Sequence, residues 1–392
     1  MLRMRRGHIF RLLSCILIIS GILYFFLHES VVLPTLSRPF PASKYATRAT
    51  YEYTSIYRRN ANRTFEAGLD AQLLAFEQSF YSSLPSNEQN LLANLTIHQI
   101  STTKQQSQMS AWITQWRTNN PGWSYELLTT HPVSLLAIYK GIPSILSAYE
   151  NPSLRRDLVR YLLLWYHGGF YTDVNTWERV SLNHCPPIVE FTQGGREVSL
   201  MVGVDRDEPF YNRETVEMMG WGRGFGLGID TVWAMKRFDP IMRRAIVRSI
   251  SHAEVKKGLE GTKWFHDDWD VFESDWEEWE RSEISGAGMF TDIVLEVLSD
   301  GLRDDHELRD RDAGLERRVS WKKFKHLQTT LWIDRSQARE GADMRGIAVL
   351  PIDVWSNGQN HSGAGTFEAE TACVNRANRD GPKKTWHGKG FW

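Results

Sequence analysis

An α/β domain behind a single membrane-spanning segment is what this chain of 392 residues predicts. Three observations carry that prediction. The stretch Leu12 to Leu27, "LLSCILIISGILYFFL", holds no charge and follows Arg3, Arg5, Arg6 and Arg11. From Asn94 onward, short apolar runs alternate with helical stretches, as strands interleaved with helices do. That region opens with a strand, a helix and a second strand, the start of a sheet whose ligands sit beyond the strand ends. Composition adds little: 42% hydrophobic and 24% charged residues are ordinary for a globular chain. A formal net charge of −1 supplies no basic face for nucleic acid. The 16 tryptophans are expected mainly in the core, with some left to stack on sugars.

With Ile9, Phe10 and Val31 to Leu33 at its flanks, the apolar segment approaches the ~20 residues needed to span a bilayer. The positive charges precede it, which holds the tail in the cytosol and sends the remainder into the lumen. No small-X-small cleavage site follows, so the segment is expected to stay as an anchor. The resulting division is a tail at 1–8, an anchor at 9–33, a lumenal stem at 34–90 and a catalytic domain at 91–392. Sequons at Asn62, Asn94 and Asn360 agree with a lumenal domain. Cys15 lies in the anchor, which leaves Cys185 and Cys373 either as one disulfide or as two buried thiols.

The stem is polar, with some helix near Leu69 to Tyr81. "LTIHQI" (Leu95 to Ile100) reads as a buried strand. The helix after it is stopped at "NNPG", and a second strand runs through Tyr125 to Leu128. In "ENPSLRRDLVRYLLLWYHGG", Asn151 is the N-cap and Pro152 the first helical residue, where a missing N–H costs nothing. Leu154, Leu158, Tyr161, Leu162 and Trp165 recur at three- and four-residue spacing and form the buried stripe. Gly168 and Gly169 end the helix, because glycine adopts left-handed backbone without steric cost. "FYTDV" then reads as a strand whose end presents Asp173. Later elements are a strand at Ser199 to Asp205, helices in "DPIMRRAIVRSI" and "GMFTDIVLEVLSDG", and a strand in "GIAVLPIDVW". The acidic, aromatic stretch Trp264 to Glu283 reads as a solvated loop with its tryptophans folded inward.

The chemistry concentrates around Asp173. A diphosphate leaving group needs its charge neutralised, and hard cations held by oxygen ligands do that. Strand alternation puts Asn175 on the same side as Asp173, where its amide oxygen can bind a cation without adding charge. Asp157 and Arg160 share one helical face and point at the same rim, a carboxylate for sugar hydroxyls and a guanidinium for sugar and phosphate.

Together, "RRDLVRYLLLWYHGGFYTDVNT" resembles the signature of glycosyltransferase family 32, which includes fungal initiation-specific α-1,6-mannosyltransferases. That family shows D-x-x-R-Y, L-x-x-x-G-G-x-Y and D-x-D. Asp157, Arg160, Tyr161, Leu164, Gly168, Gly169, Tyr171 and Asp173 fit it. "IHQI", "NNPGWSYELLT" and "ISGAGMFTDIV" resemble further family segments, so the similarity runs from about Leu95 to the C-terminus. The resemblance implies a GT-A fold, a mixed sheet flanked by helices, and a nucleotide-sugar donor, GDP-mannose, used with retention on a glycan of a protein. A sphingolipid acceptor, or a relative that binds without transfer, is the alternative. By position, Asp157, Arg160 and Asp173 carry catalysis. Tyr171, Gly168 and Gly169 lie by the donor, and Ile97, His98, Gln99 and Ile100 line its base pocket. In "WHGKGFW", His387 would join Asp173 and Asn175 on Mn²⁺ or Mg²⁺, and Trp392 would stand near the diphosphate. The implied setting is a Golgi membrane, with other Golgi glycosyltransferases as partners. Three positions depart from the pattern. Asn175 replaces the second acid, Arg156 replaces a small residue before Asp157, and Asp239-Pro240 stands where His-Pro is usual.

Overall fold

A computed structural model describes residues 55–85, 95–260, 277–311 and 318–377. The expected anchor and most of the acidic loop fall outside those residues. Among the described residues, no helix is long and apolar enough to cross a membrane. In chain order, helix α1 (Arg63–Ser83) precedes β1 (Thr96–Ser101), α2 (Ser110–Thr118) and β2 (Ser124–Thr129). Next come α3 (Pro152–His167), β3 (Gly169–Thr172), β4 (Thr176–Glu178), β5 (Leu200–Asp207) and β6 (Phe225–Ala234). Then follow α4 (Pro240–Glu260), α5 (Glu278–Ile284), α6 (Ala287–Gly301), β7 (Leu331–Ile333), β8 (Ile347–Leu350) and β9 (Val374–Arg376).

Seven strands form one mixed sheet in the order β2-β1-β3-β6-β5-β8-β7. β1 runs parallel to β2 and β3, and β5 parallel to β8, whereas β6 is antiparallel to both its neighbours. The carboxyl ends of β1, β2, β3, β5 and β8 therefore share one edge, where open α/β sheets place their ligands. Apolar side chains bury both faces of the sheet in two clusters. The larger packs α3, α4 and α6 on one face, and the smaller holds Trp116, Phe170, Trp233 and Trp355 on the other.

Local chemistry sets the elements that matter. Asn151 Oδ1 accepts from the N–H groups of Ser153 and Leu154, capping α3 as its sequence predicts. All five residues of the expected stripe are buried. Gly168 and Gly169 take φ of 68° and 96°. A Cβ on Gly169 would stand 2.7 Å from the Thr96 carbonyl and from His98 Nε2, so only glycine lets β3 lie against β1 here. At Asp239-Pro240, the aspartate caps α4 by accepting from Ile241 N–H at 2.8 Å and also takes the Ser199 hydroxyl at 2.5 Å.

Helix α1 lies within the stretch read as stem, yet it packs as part of the domain. Leu69 and Leu73 are buried against the larger core, and Phe80 meets Phe238 edge-on at 5.1 Å. Arg243 of α4 reaches back to Asp70 at 2.8 Å. The helix itself is expected from sequence near Leu69 to Tyr81; its packing on the domain is not, because only one stripe of it faces inward.

A second, two-stranded sheet pairs β4 with β9 antiparallel, Thr176 opposite Arg376. The Cys185–Cys373 disulfide, with Cα atoms 5.4 Å apart across 188 residues of sequence, resolves the cysteine alternative and fixes β9 at that place. Replacing both cysteines with serine is expected to cost about 2–5 kcal/mol, read as a lowered urea midpoint. On β4, Glu178 accepts from the Asn120 amide at 2.7 Å, and burial raises its carboxyl to about 7 although Asn120 pulls the other way. Between its ordinary 4.5 and about 7, the native state holds the proton that the unfolded chain has lost. Stability should therefore fall as pH rises through that window. A pH series of denaturation midpoints should show this slope, and Glu178→Gln should flatten it.

Candidate functional site

Helix α3 and strand β3 run out and back through the Gly168-Gly169 reversal, so Asp173 returns beside the first half of the helix. Arg160 is fully enclosed there. Its Nη1 donates to Asp157 Oδ1 at 2.9 Å, and its Nη2 to Asp173 Oδ1 at 3.1 Å and the Tyr171 hydroxyl at 3.4 Å. The guanidinium carbon also lies 4.7 Å from the Tyr171 ring centroid. Tyr171 donates to Asp173 Oδ1 at 2.6 Å. Burial pushes its phenol far above the ordinary range, with Asp173 adding to the shift and Arg160 opposing it, so it remains a neutral donor. Asp157 Oδ2 accepts from the Ser285 hydroxyl at 2.8 Å, and the Tyr161 hydroxyl holds the Ser285 carbonyl at 2.5 Å. The sequence marks Ser285 only as part of "ISGAGMFTDIV" and gives it no role. Its position just before α6 makes it the third support of the cluster.

Arg156 is the second cation at Asp173, with Nη2 3.3 Å from Oδ1. Asp173 is thus met by two guanidiniums and a phenol on one oxygen. Its own backbone N–H donates to the Asp230 carbonyl at 2.8 Å, and its carbonyl accepts from Gln99 Nε2 at 3.2 Å.

A further set of charges extends the rim. Asp230 Oδ2 lies 2.5 Å from Arg376 Nη2, and Asp205 Oδ1 lies 2.7 Å from Arg376 Nη1. Burial would raise the Asp205 carboxyl, but Arg376 and Arg206 hold it below its ordinary value. His361 stands edge-on to Trp221 at 4.6 Å next to this group. The strand that ends near Asp205 is legible in the sequence, but nothing in the sequence gives the aspartate a role. β6 carries no strand signal, because "FGLGIDTVWA" has two glycines in its first half. Arg376 is invisible without the disulfide that brings β9 to the site.

The residues expected from sequence divide sharply. Asp157, Arg160, Tyr171 and Asp173 come together, and Gly168 and Gly169 make the turn that joins them. Gln99 reaches the cluster through Asp173's backbone and is held in turn by the Tyr125 hydroxyl at 2.6 Å. Ile97 and Ile100 belong to the two cores and offer no surface to a ligand. His98 pairs with Glu126 at 3.0 Å. His387 and Trp392 lie outside the described residues. Strand alternation does not carry through to Asn175: β3 ends at Thr172, and a turn closed by Thr176 N–H on the Asp173 carbonyl at 3.1 Å follows. The Asn175 carbonyl accepts from Ala377 N–H at 3.0 Å, while its buried Oδ1 has no hydrogen bond.

Among the described residues, which exclude His387, these donors do not fit a divalent cation. Asp173 Oδ1 faces two positive charges, Asn175 brings no negative one, and among the described residues no three His, Cys, Asp or Glu side chains are grouped to hold a metal.

Residues 106–191 match the family described as a glycosyltransferase sugar-binding region containing a DXD motif. "Putative glycosyltransferase HOC1" of Saccharomyces cerevisiae is 26% identical over 218 residues, 54% of this chain and 48% of that protein. The initiation-specific alpha-1,6-mannosyltransferase of Candida albicans is 24% identical over 267 residues, 64% and 60% of the two chains. Its Schizosaccharomyces pombe counterpart is 29% identical over 134 residues, 31% and 33%. The chain thus spans between a third and three fifths of the lengths of these curated relatives. A solved structure, the PaToxG glycosyltransferase, superposes with a TM-score of 0.32 at 13% identity over 60% of this chain and 80% of its own. So weak a superposition adds nothing to the strand order above.

Arg160→Met should cost about 3–5 kcal/mol in urea unfolding, because it leaves Asp157 and Asp173 buried with their main cation gone. A loss below about 1 kcal/mol would mean that solvent reaches the pair.

Proposed function

We propose, for a chain that carries a glycosyltransferase sugar-binding region of the DXD type, that it transfers a hexose from a nucleotide sugar to a glycan. The single observation behind this is the Asp157–Arg160–Asp173 cluster at the shared carboxyl edge of the sheet. Buried charges held this firmly are costly unless they serve a ligand or a unique geometry. A carboxylate and a guanidinium side by side suit a hexose with several hydroxyls next to a phosphate.

The relatives' names favour mannose joined in α-1,6 linkage; GDP-mannose as the donor, used with retention, is what the resemblance to the family implies. The sugar is held through Asp157, which Arg160 positions, and the acceptor approaches from the Asp205, Asp230 and Arg376 side of the rim. In the transfer, the C1–O bond to the diphosphate breaks as the acceptor oxygen bonds to C1. The acceptor's proton leaves to the departing phosphate or to water. A Golgi setting, with the N-terminal segment as anchor and the domain lumenal, is part of the same proposal. The Cys185–Cys373 disulfide supports an oxidising compartment. So do the exposed sequon asparagines Asn62 and Asn360. Mn²⁺ or Mg²⁺, expected from the DXD type, has to contend with the donor set described above.

The direct test is a thermal-shift screen of GDP-mannose, UDP-glucose, UDP-galactose and UDP-N-acetylglucosamine. At one hundred times its Kd, a true donor stabilises the fold by about 2.7 kcal/mol. Asp157→Asn should lower donor turnover about 100-fold while leaving a folded protein by circular dichroism. A flat screen across all four would exclude the proposal.

A further inference from the structure

We infer that Arg156 takes the place of the divalent cation in this site, binding the donor's diphosphate directly. The inference rests on the donor reading above. It starts from a pair of departures that lie together in space. Where the family motif has Asp-X-Asp, this chain has Asp173-Val174-Asn175, one negative charge fewer. Immediately before Asp157, where the resembling signature has a small neutral residue, it has Arg156, one positive charge more. The two changes shift the site by two formal charges in the positive direction, the charge a divalent metal would bring.

The geometry puts that charge at the metal's station. Arg156 Nη2 lies 3.3 Å from Asp173 Oδ1, the carboxylate that a cation would share with the phosphates. Arg160, the other guanidinium there, is spent on Asp157, Asp173 and Tyr171 and has almost no exposed surface. Arg156 is different: its side chain is 27% exposed, and its Nε and Nη2 make no hydrogen bond in the protein. Those two nitrogens face inward, with Nη2 in ion-pair range of Asp173, and the exposed remainder of the guanidinium is what a diphosphate can reach. The guanidinium is planar and suited to two phosphate oxygens at once. The Asn175 amide, lacking charge, does not compete for it. When the C1–O bond breaks, the electron pair goes to the diphosphate oxygen, and Arg156 neutralises the charge that develops. No proton is asked of it.

The test uses the full chain and reads binding as well as turnover. GDP, UDP and ADP are titrated by calorimetry in EDTA and then in Mn²⁺, alongside the donor screen. In EDTA, one of the three should bind to the wild type, with Kd changing less than about threefold on adding Mn²⁺. Arg156→Ser should weaken that binding at least 30-fold, and Arg156→Lys should recover only part of it. The double variant Arg156→Ser/Asn175→Asp should regain binding in Mn²⁺ alone, with bound Mn²⁺ visible as loss of the free-ion electron paramagnetic resonance signal. Circular dichroism melts establish that each variant is folded.

Binding by the wild type that vanishes in EDTA and returns with Mn²⁺ overturns the inference while leaving the donor reading intact. Unchanged affinity in folded Arg156→Ser also overturns the inference alone. Failure of all three nucleotides under both conditions removes the donor reading, and the inference with it.

Discussion

A guanidinium sealed from solvent has to be answered by carboxylates, and Arg160 imposes that condition on everything around it. Asp157 answers from the same helix, three residues away, and Asp173 from the strand that follows. The strand can do so only because Gly168 and Gly169 reverse the chain with positive φ. Arg160 does not saturate either carboxylate, so Ser285 donates to the second oxygen of Asp157 and Tyr171 joins Arg160 on Asp173 Oδ1. One buried charge thus ties α3, β3 and the entry to α6 into a single arrangement. Breaking any member leaves another charge stranded, which is why such clusters hold geometry more than they add net stability.

The second constraint is covalent. The Cys185–Cys373 link sets β9 beside β4, and that pairing delivers Arg376 to Asp205 and Asp230. Asp230 also holds the backbone of Asp173. The two halves of the rim, one built from α3 and β3 and the other from β5, β6 and β9, are thus joined at Asp173 by a bond that continues the β3–β6 pairing. A change in how β9 sits would be felt at Asp173 without touching its side chain.

How much of this the sequence discloses follows from the range of the forces involved. Capping by Asn151, the buried stripe of α3, the glycine stop and the proximity of Asp157 to Arg160 are local, set within one or two helical turns, and the sequence displays them. The placement of Asp173 beside them follows once the glycines are read as a reversal. β6 escapes because a central strand needs no alternation when both its faces are buried, and its glycines imitate a loop. The role of Ser285 depends on a contact across 128 residues, and that of Arg376 on one across 171. No spacing encodes either. For Asn175 it is only the alternation argument that does not apply. Period-two alternation presumes that the strand continues, and the turn after Thr172 cancels it.

Charge bookkeeping then explains why Asp173 is kept in a site that departs from a metal-binding pattern. A resident arginine, unlike a metal, cannot leave, and without ligand its charge would sit half-buried and unanswered. Asp173 is the group that answers it, together with Arg160, so the same carboxylate a metal would need becomes the resting counter-ion of Arg156. An arriving diphosphate brings more negative charge than one carboxylate can, and it draws the guanidinium toward itself with little change in net charge. The donors are held in place beforehand by α3, so little reorganisation opposes the developing charge. The retention of Asp173 and the loss of the second acid are, on this view, two sides of one electrostatic condition: enough negative charge to hold the arginine, and not enough to keep it from the phosphate.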